Sequence, residues 1–236
     1  MKNYLFLGSG VGDLDPATNF RCGFTEFIKK NYVNSDRIYL VEANKKNIPL
    51  LKKCWEEYQN VNFFNLAISQ YENTEGKCKL FYSEESAPYY QTCSTNINHV
   101  KKFHHNGCQI KSFTIEAISL NNFIEKYVEG NKIDYLSIDL EGIDYDVVMS
   151  LNLIKYDIQN ISIEFVHMTR KQIRVMIKKL NSYGYSYMGY GYDLYNLDYL
   201  FSKKVMFFNQ MLSYILTYTR SKKIRHFINK IINKKI

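Results

Sequence analysis

Short apolar runs recur along the chain, with stretches of helical periodicity between most of them. Residues 4–7 (Tyr-Leu-Phe-Leu) read as a buried strand running straight into Gly8, Gly10 and Gly12. A helix is expected over about residues 17–31, and residues 37–42 form a second buried run. Ile48, Leu51, Trp55 and Tyr58 then fall on one helical face, with Pro49 tolerable in its first turn. Residues 61–68 predict a third strand. Residues 69–111 are polar, rich in Tyr and Ser and weakly periodic, so they read as a long loop with Cys-Lys-Leu-Phe-Tyr-Ser (78–83) as an edge strand. Order returns where Leu120, Phe123, Ile124, Tyr127 and Val128 mark a helix that Ser119 can cap. Strands at 133–142 and 159–166, a helix after Thr169 and an antiparallel pair from residue 185 to 203 complete the pattern.

Alternating strands and helices imply an α/β fold, a mostly parallel sheet with helices on both faces. In such sheets ligands sit beyond the carboxyl ends of the strands. The polar residues at those ends are the glycine loop, Glu42, Asn65, Asp139 with Glu141, and Glu164 with His167.

Composition narrows the class. Hydrophobic content of 46% and charged content of 23% over 236 residues suit a globular chain with a real core. A net charge of +8 suggests nucleic acid until its distribution is seen. From residue 202 onward there are nine Lys and Arg and no acid, leaving 22 bases against 23 acids in the preceding 201 residues. The body is neutral, so no nucleic-acid partner is expected. Five cysteines without CxxC spacing read as reduced thiols in a cytoplasmic protein.

The spacing Gly8-x-Gly10-x-Gly12 puts Asp13 where dinucleotide binders carry their last glycine. Such a loop suits a nucleoside bearing an amino-acid arm, or is a plain strand-to-helix turn. Glu42 ends the second strand, where a carboxylate can accept from both ribose hydroxyls, or else cap a helix beginning near Asn44 or Asn47. Glu141 can cap the helix entered at Gly142, and Asp144 can support the same turn. His99, His104 and His105 in the long loop are read as solvated, with metal or acceptor contact as the alternatives. No ligand spacing is diagnostic, and no metal is expected.

Ile-Asp-Tyr-Leu-Ser-Ile-Asp-Leu-Glu-Gly (133–142) and the segment after it resemble the signature of the FkbM-type methyltransferases. Ile-Ser-Leu-Asn-Asn-Phe-Ile (118–124) and the strand ends at 40–44, 65–69 and 161–167 match that family too, so the resemblance covers about residues 4–203. It implies a class I, Rossmann-like methyltransferase fold with seven strands, the last antiparallel. It also implies S-adenosyl-L-methionine as cofactor and O-methylation of a sugar, glycan or related metabolite. By that resemblance Gly8, Ser9, Gly10 and Gly12 border the methionine arm, Glu42 with Ala43 holds the ribose, and Asn65 and Ala67 lie at the adenine. Asp139 faces both cofactor and acceptor and is the first candidate base, then Glu141, with Glu164 and His167 behind them. The family's acid two residues before the first glycine is Phe6 here; Asp13 or Asp15 could receive the cofactor's ammonium instead. Phe6 and the short N-terminus raise the alternative of a non-catalytic binding or scaffold subunit in a glycan biosynthesis pathway.

The body is expected at 1–204 and a basic helical tail at 205–236. In the tail Ile224, Phe227, Ile228, Ile231 and Ile232 share one face among Lys and Arg. That pattern suits peripheral contact with an anionic inner membrane surface, or packing on the domain or on a second copy of the chain.

Overall fold

The computed structural model describes residues 1–13, 21–71, 75–83, 93–102, 104 and 108–203, with isolated helical positions at 211, 215 and 224. Asp15 and nearly all of the basic tail lie outside the described residues.

Among the described residues ten strands and six helices follow one another as β1 (Asn3–Leu7), α1 (Gly23–Asn31), β2 (Arg37–Val41), α2 (Ile48–Cys54), β3 (Val61–Phe64), β4 (Ala67–Ser69), β5 (Glu75–Ser83), α3 (Ile97–Lys102), β6 (Ile110–Ser119), α4 (Leu120–Tyr127), β7 (Lys132–Ile138), α5 (Asp144–Ser150), β8 (Asp157–Glu164), α6 (Arg170–Ser182), β9 (Ser186–Tyr190) and β10 (Asp198–Ser202). Seven of the strands form one sheet in the order β3-β2-β1-β7-β8-β10-β9. Its pairings are parallel from β3 to β8, whereas β10 runs antiparallel to both β8 and β9. This is the Rossmann-like class expected from the sequence.

Alternation along β1 explains the layers. Leu5 and Leu7 point into a core shared with Phe123 and Ile124 of α4, Val147 and Val148 of α5, and Met176 and Ile177 of α6. Tyr4 and Phe6 point the other way, onto Phe24 and Ile28 of α1 and Leu51 and Trp55 at α2. Both faces of the strand are therefore buried, as a central parallel strand requires. Truncating Leu5 or Leu7, each fully buried, would cost ~2–5 kcal/mol.

Helix starts follow local chemistry. Ser119 Oγ accepts from Asn122 N at 3.2 Å and caps α4. Thr169 and Gln172 form a reciprocal capping box on α6, and such caps contribute ~1 kcal/mol. Helix α1 begins at Gly23 after Cys22 as cap, later than the periodicity suggested. Cys22 Sγ accepts from Thr25 N at 3.4 Å at that start, and Gly23 lets the first turn pass close to Tyr192, whose carbonyl oxygen any Cβ would overlap.

Two further expectations are corrected. The third strand stops at Phe64, and Ala67–Ser69 leave to pair with β6 in a second sheet, β4-β6-β5. The segment read as one long loop carries most of that sheet and α3. In it β5 pairs antiparallel with β6 from Glu75↔Ile118 to Ser83↔Ile110, with β5 at the edge as expected. Its longer strands bury one face only in part, with Phe113 and Ile115 half-buried beside exposed Thr114 and Glu116, and β4 is too short to show a period.

Candidate active site

The carboxyl ends of β1, β2, β7 and β8 and the amino end of β10 meet along one edge of the large sheet. A cavity of about 280 Å³ opens there, roofed by Ala67, Ile68 and Leu80 of the second sheet and by the segment Cys93–Thr95.

On one side lies the glycine loop. Gly8 N and Ser9 N donate to Val41 O at 2.9 and 3.0 Å, which clamps the tip of β1 to that of β2. The three glycines have different reasons. Gly8 (φ 80°) touches β7, where a Cβ would overlap the Asp139 carbonyl oxygen, and Gly12 packs on Cys54. Only Gly10 (φ 56°) of the three has open space where its Cβ would be. Gly10 N donates to Glu42 Oε2 at 2.7 Å, and Asn44 N donates to Oε1 at 2.6 Å. Asn47 Nδ2 adds a longer bond to Oε1 at 3.4 Å, so Glu42 holds its own turn as well as facing the cavity, with a lone pair of Oε2 left for a ligand. Burial pushes its carboxyl up to about 7, against the N–H donors that favour the charged form.

The other side is crowded with acids. Asp139 and Glu141 follow β7, Glu164 ends β8, and Asp193 and Asp198 lead into β10; all five line the cavity. Burial first, and neighbouring carboxylates after it, raise Glu164 to about 10 and Asp139 well above the carboxylate range. Asp198, which accepts from Ser162 Oγ at 2.9 Å, rises to about 7. Such a cluster favours a cationic ligand. Glu164 Oε2 is buried and makes no hydrogen bond among the described residues.

Gly8, Ser9, Gly10, Gly12, Glu42, Ala43, Ala67, Asp139, Glu141 and Glu164 all reach the cavity wall. Asn65, Asp13 and His167 do not line it. Asn65 donates to the Glu42 and Ala43 carbonyls at 2.8 and 3.1 Å and so braces the end of β2. Asp13 is turned to Lys29, with which it pairs at 3.1 Å. His167 stands behind Glu141 and Glu164, at 3.6 and 3.4 Å.

Glu141 does not cap α5. Asp144 does the local work, accepting from Leu140 N at 2.6 Å and Gly142 N at 3.1 Å. Glu141 instead accepts or shares a hydrogen bond with His99 Nε2 at 2.9 Å. His99, read from the sequence as solvated, is buried on α3, which is a correction. No local pattern could reveal this, because its partners are 42 and 68 residues away and the connection runs through the second sheet.

A model of the methyltransferase FkbM domain matches residues 11–187, three quarters of the chain. The chain belongs to the FkbM methyltransferase family. The match in this FkbM chain takes in Glu42, Asp139, Glu141, Glu164 and His167, and leaves Gly8, Gly10 and β10 outside it. A search of curated proteins finds no match for it. Among the described residues of this FkbM protein no helix is long and apolar enough to cross a membrane.

Proposed function

We propose that this methyltransferase uses S-adenosylmethionine and acts on a hydroxyl of a sugar, glycan or related metabolite. One observation carries the reading. Glu42 and Asp139 end the two strands that flank β1, on the same edge, with open space beside Gly10 between them. Glu42 would accept from the ribose hydroxyls, and Gly10 would let the amino-acid arm approach the backbone. Ala43 and Ala67 offer an apolar wall to the adenine. With Asp13 held by Lys29, the wall acids Asp139, Asp193 and Asp198 offer the negative charge that a sulfonium and an ammonium call for.

When bound, S-adenosylmethionine supplies an electrophilic methyl group on a sulfonium. The chain's task is then to aim a hydroxyl oxygen in line with that methyl, and orientation of this kind supplies effective molarities of ~10⁵–10⁸ M. Asp139 would accept the hydroxyl proton, a contribution of ~10²–10⁴-fold, while Glu141 helps to place the acceptor. The roof of the second sheet and residues 93–95 would keep bulk water from the reacting atoms.

Calorimetric titration with S-adenosylhomocysteine tests the cofactor, followed by a methyl-transfer screen over sugar hydroxyls. Saturable binding is expected, weakened roughly ten- to a hundredfold in Glu42→Ala, the loss of ~1.5–3 kcal/mol for a charge-assisted bond. Absence of binding to the wild type at millimolar ligand would reject the reading. Phe6, an apolar ring on the cavity wall, favours the second reading of a binding subunit, to which saturable binding without transfer to any acceptor would point.

A further inference from the structure

Three side chains from distant segments converge beside the cavity. His99 comes from α3 in the second-sheet insertion, Glu141 from the loop after β7, and His167 from the turn after β8. His99 Nε2 lies 2.9 Å from Glu141 Oε2, and His167 Nε2 lies 3.6 Å from the same oxygen. One donor atom of each stands within 4.8 Å of the other two. Ligands ~2.0–2.2 Å from a zinc ion lie roughly 3–3.6 Å from each other in a tetrahedral shell, and the two imidazole distances to Glu141 are close to that size.

The backbone around the cluster is built for it. Glu141 holds φ at 50°, a left-handed conformation that a non-glycine residue rarely adopts and that needs support from its surroundings. Gly142 is compulsory next to it, because a Cβ there would overlap the His99 ring. Ser94 Oγ donates to the Glu141 carbonyl at 2.7 Å and ties the inserted segment to this loop. The two imidazoles stand at 87° with centroids 4.4 Å apart, so edge meets face and the rings do not stack. Beside them Glu164 Oε2, in a residue only 8% exposed and 3.4 Å from His167 Nε2, makes no hydrogen bond among the described residues. A simple His–Glu hydrogen bond would explain His99 alone. The second imidazole stands 3.6 Å from the same Glu141 oxygen, an approach that a single hydrogen bond does not require.

We propose that His99, Glu141 and His167 bind a divalent transition metal of the zinc or cobalt class. Two imidazoles and one carboxylate suit those ions and not magnesium or calcium, which prefer oxygen throughout. Three protein ligands leave at least one coordination position open, as in catalytic zinc sites. Glu141 also lines the cavity, so that position is available to a ligand there, and Glu164 would accept a hydrogen bond from it. On the methyltransferase reading the position would hold the acceptor's hydroxyl oxygen; binding of the metal itself does not depend on that reading. The proposal departs from the sequence expectation of no metal.

Metal-stripped full-length protein is titrated with cobalt(II), followed by calorimetry and visible absorption, and then with zinc in competition. One equivalent is expected, with the spectrum of nitrogen and oxygen ligation and no thiolate charge-transfer band. Removing an imidazole should weaken binding by more than about a hundredfold in His99→Ala and in His167→Ala, beyond the usual effect of an outer partner. Cys93→Ser should leave binding intact. Thermal melts of the metal-free proteins show whether each variant folds, and the wild-type spectrum needs no variant at all. Lack of saturable cobalt binding, a thiolate band, or unchanged affinity in both folded histidine variants would overturn the proposal. Titration of the metal-free wild type with S-adenosylhomocysteine separates the two ideas, since cofactor binding without metal, or metal without cofactor, removes only one of them.

Discussion

The two halves of the sheet edge are made in different ways. At β1 and β2 the glycine turn and Glu42 lie 32 residues apart, and both Glu42 oxygens already accept backbone N–H bonds. At β7 and β8 the acids crowd one another, one buried oxygen lacks a donor, and a histidine arrives from an insertion 42 residues before its partner. In the first half the Glu42 carboxylate is satisfied before any ligand comes, as a preorganised binding surface should be, although Asn47 Oδ1 on the same wall is buried without a hydrogen bond among the described residues. The second is electrostatically incomplete, with carboxyls raised by burial and by each other. Unsatisfied charge costs stability and is retained where a ligand or a reaction supplies what is missing.

The most damaging change is one that pulls the halves apart. Gly8 is the seam, its backbone packed on the Asp139 carbonyl at φ 80°. In Gly8→Val a branched side chain would meet main chain and not a movable side chain, on top of a strained conformation. The combined loss should be about 4 kcal/mol, measured by urea unfolding, with cofactor binding and transfer both abolished. Survival of either function at full strength would show that the two sites do not depend on this contact.

Substitutions confined to one half should separate binding from turnover. Asp139→Asn keeps the shape but cannot accept a proton, so kcat should fall ~10²–10⁴-fold with affinity for S-adenosylhomocysteine retained. Glu42→Ala is the mirror image, losing affinity and keeping kcat at saturating cofactor. Equal losses of affinity and kcat in both variants would mean that the edge works as one undivided site.

The same contrast decides what could be read from the sequence. Strand tips in the large sheet follow buried apolar runs such as Ile38–Val41 and Ile161–Ile163, so Glu42, Asp139 and Glu164 could be placed at an edge by pattern alone. Glu141 came with Asp139 from the same strand end, and the FkbM resemblance gave both a place at the methyl group and the acceptor. The second sheet was missed because β5 alone was read as an edge strand and its pairing partners lie far apart in the chain, Lys77 with Glu116 for example. With it went His99, Ser94 and the cavity roof. Loop glycines were also given one shared purpose, whereas two of the three answer to packing on Asp139 and Cys54, which no spacing rule reveals.

The smallest effect expected tests whether the satisfied half is truly at rest without ligand. Glu42 has its carboxyl raised from 4.5 to about 7 by burial. Below about pH 4.5 the carboxyl is protonated both folded and unfolded, and its full relative contribution to stability is present. As pH rises toward 7 the unfolded chain ionises first, so the folded state loses that contribution until its own carboxyl ionises. Ligand-free protein should therefore be less stable at pH 8 than at pH 5, and more so than Glu42→Gln. The interval between the two values sets a ceiling of ~3 kcal/mol. Water entering an open cavity screens the charge, so a difference of about 1 kcal/mol between wild type and variant is expected from paired unfolding curves. Asp198 and Asp144 shift in the same direction but are common to both proteins and cancel in the comparison. With S-adenosylhomocysteine present the slope should reverse, because a ribose diol prefers the ionised Glu42 and its affinity should rise over the same window. A flat difference in the free protein, or an affinity indifferent to pH in the wild type, would place Glu42 as a brace for its own turn and move ribose recognition elsewhere.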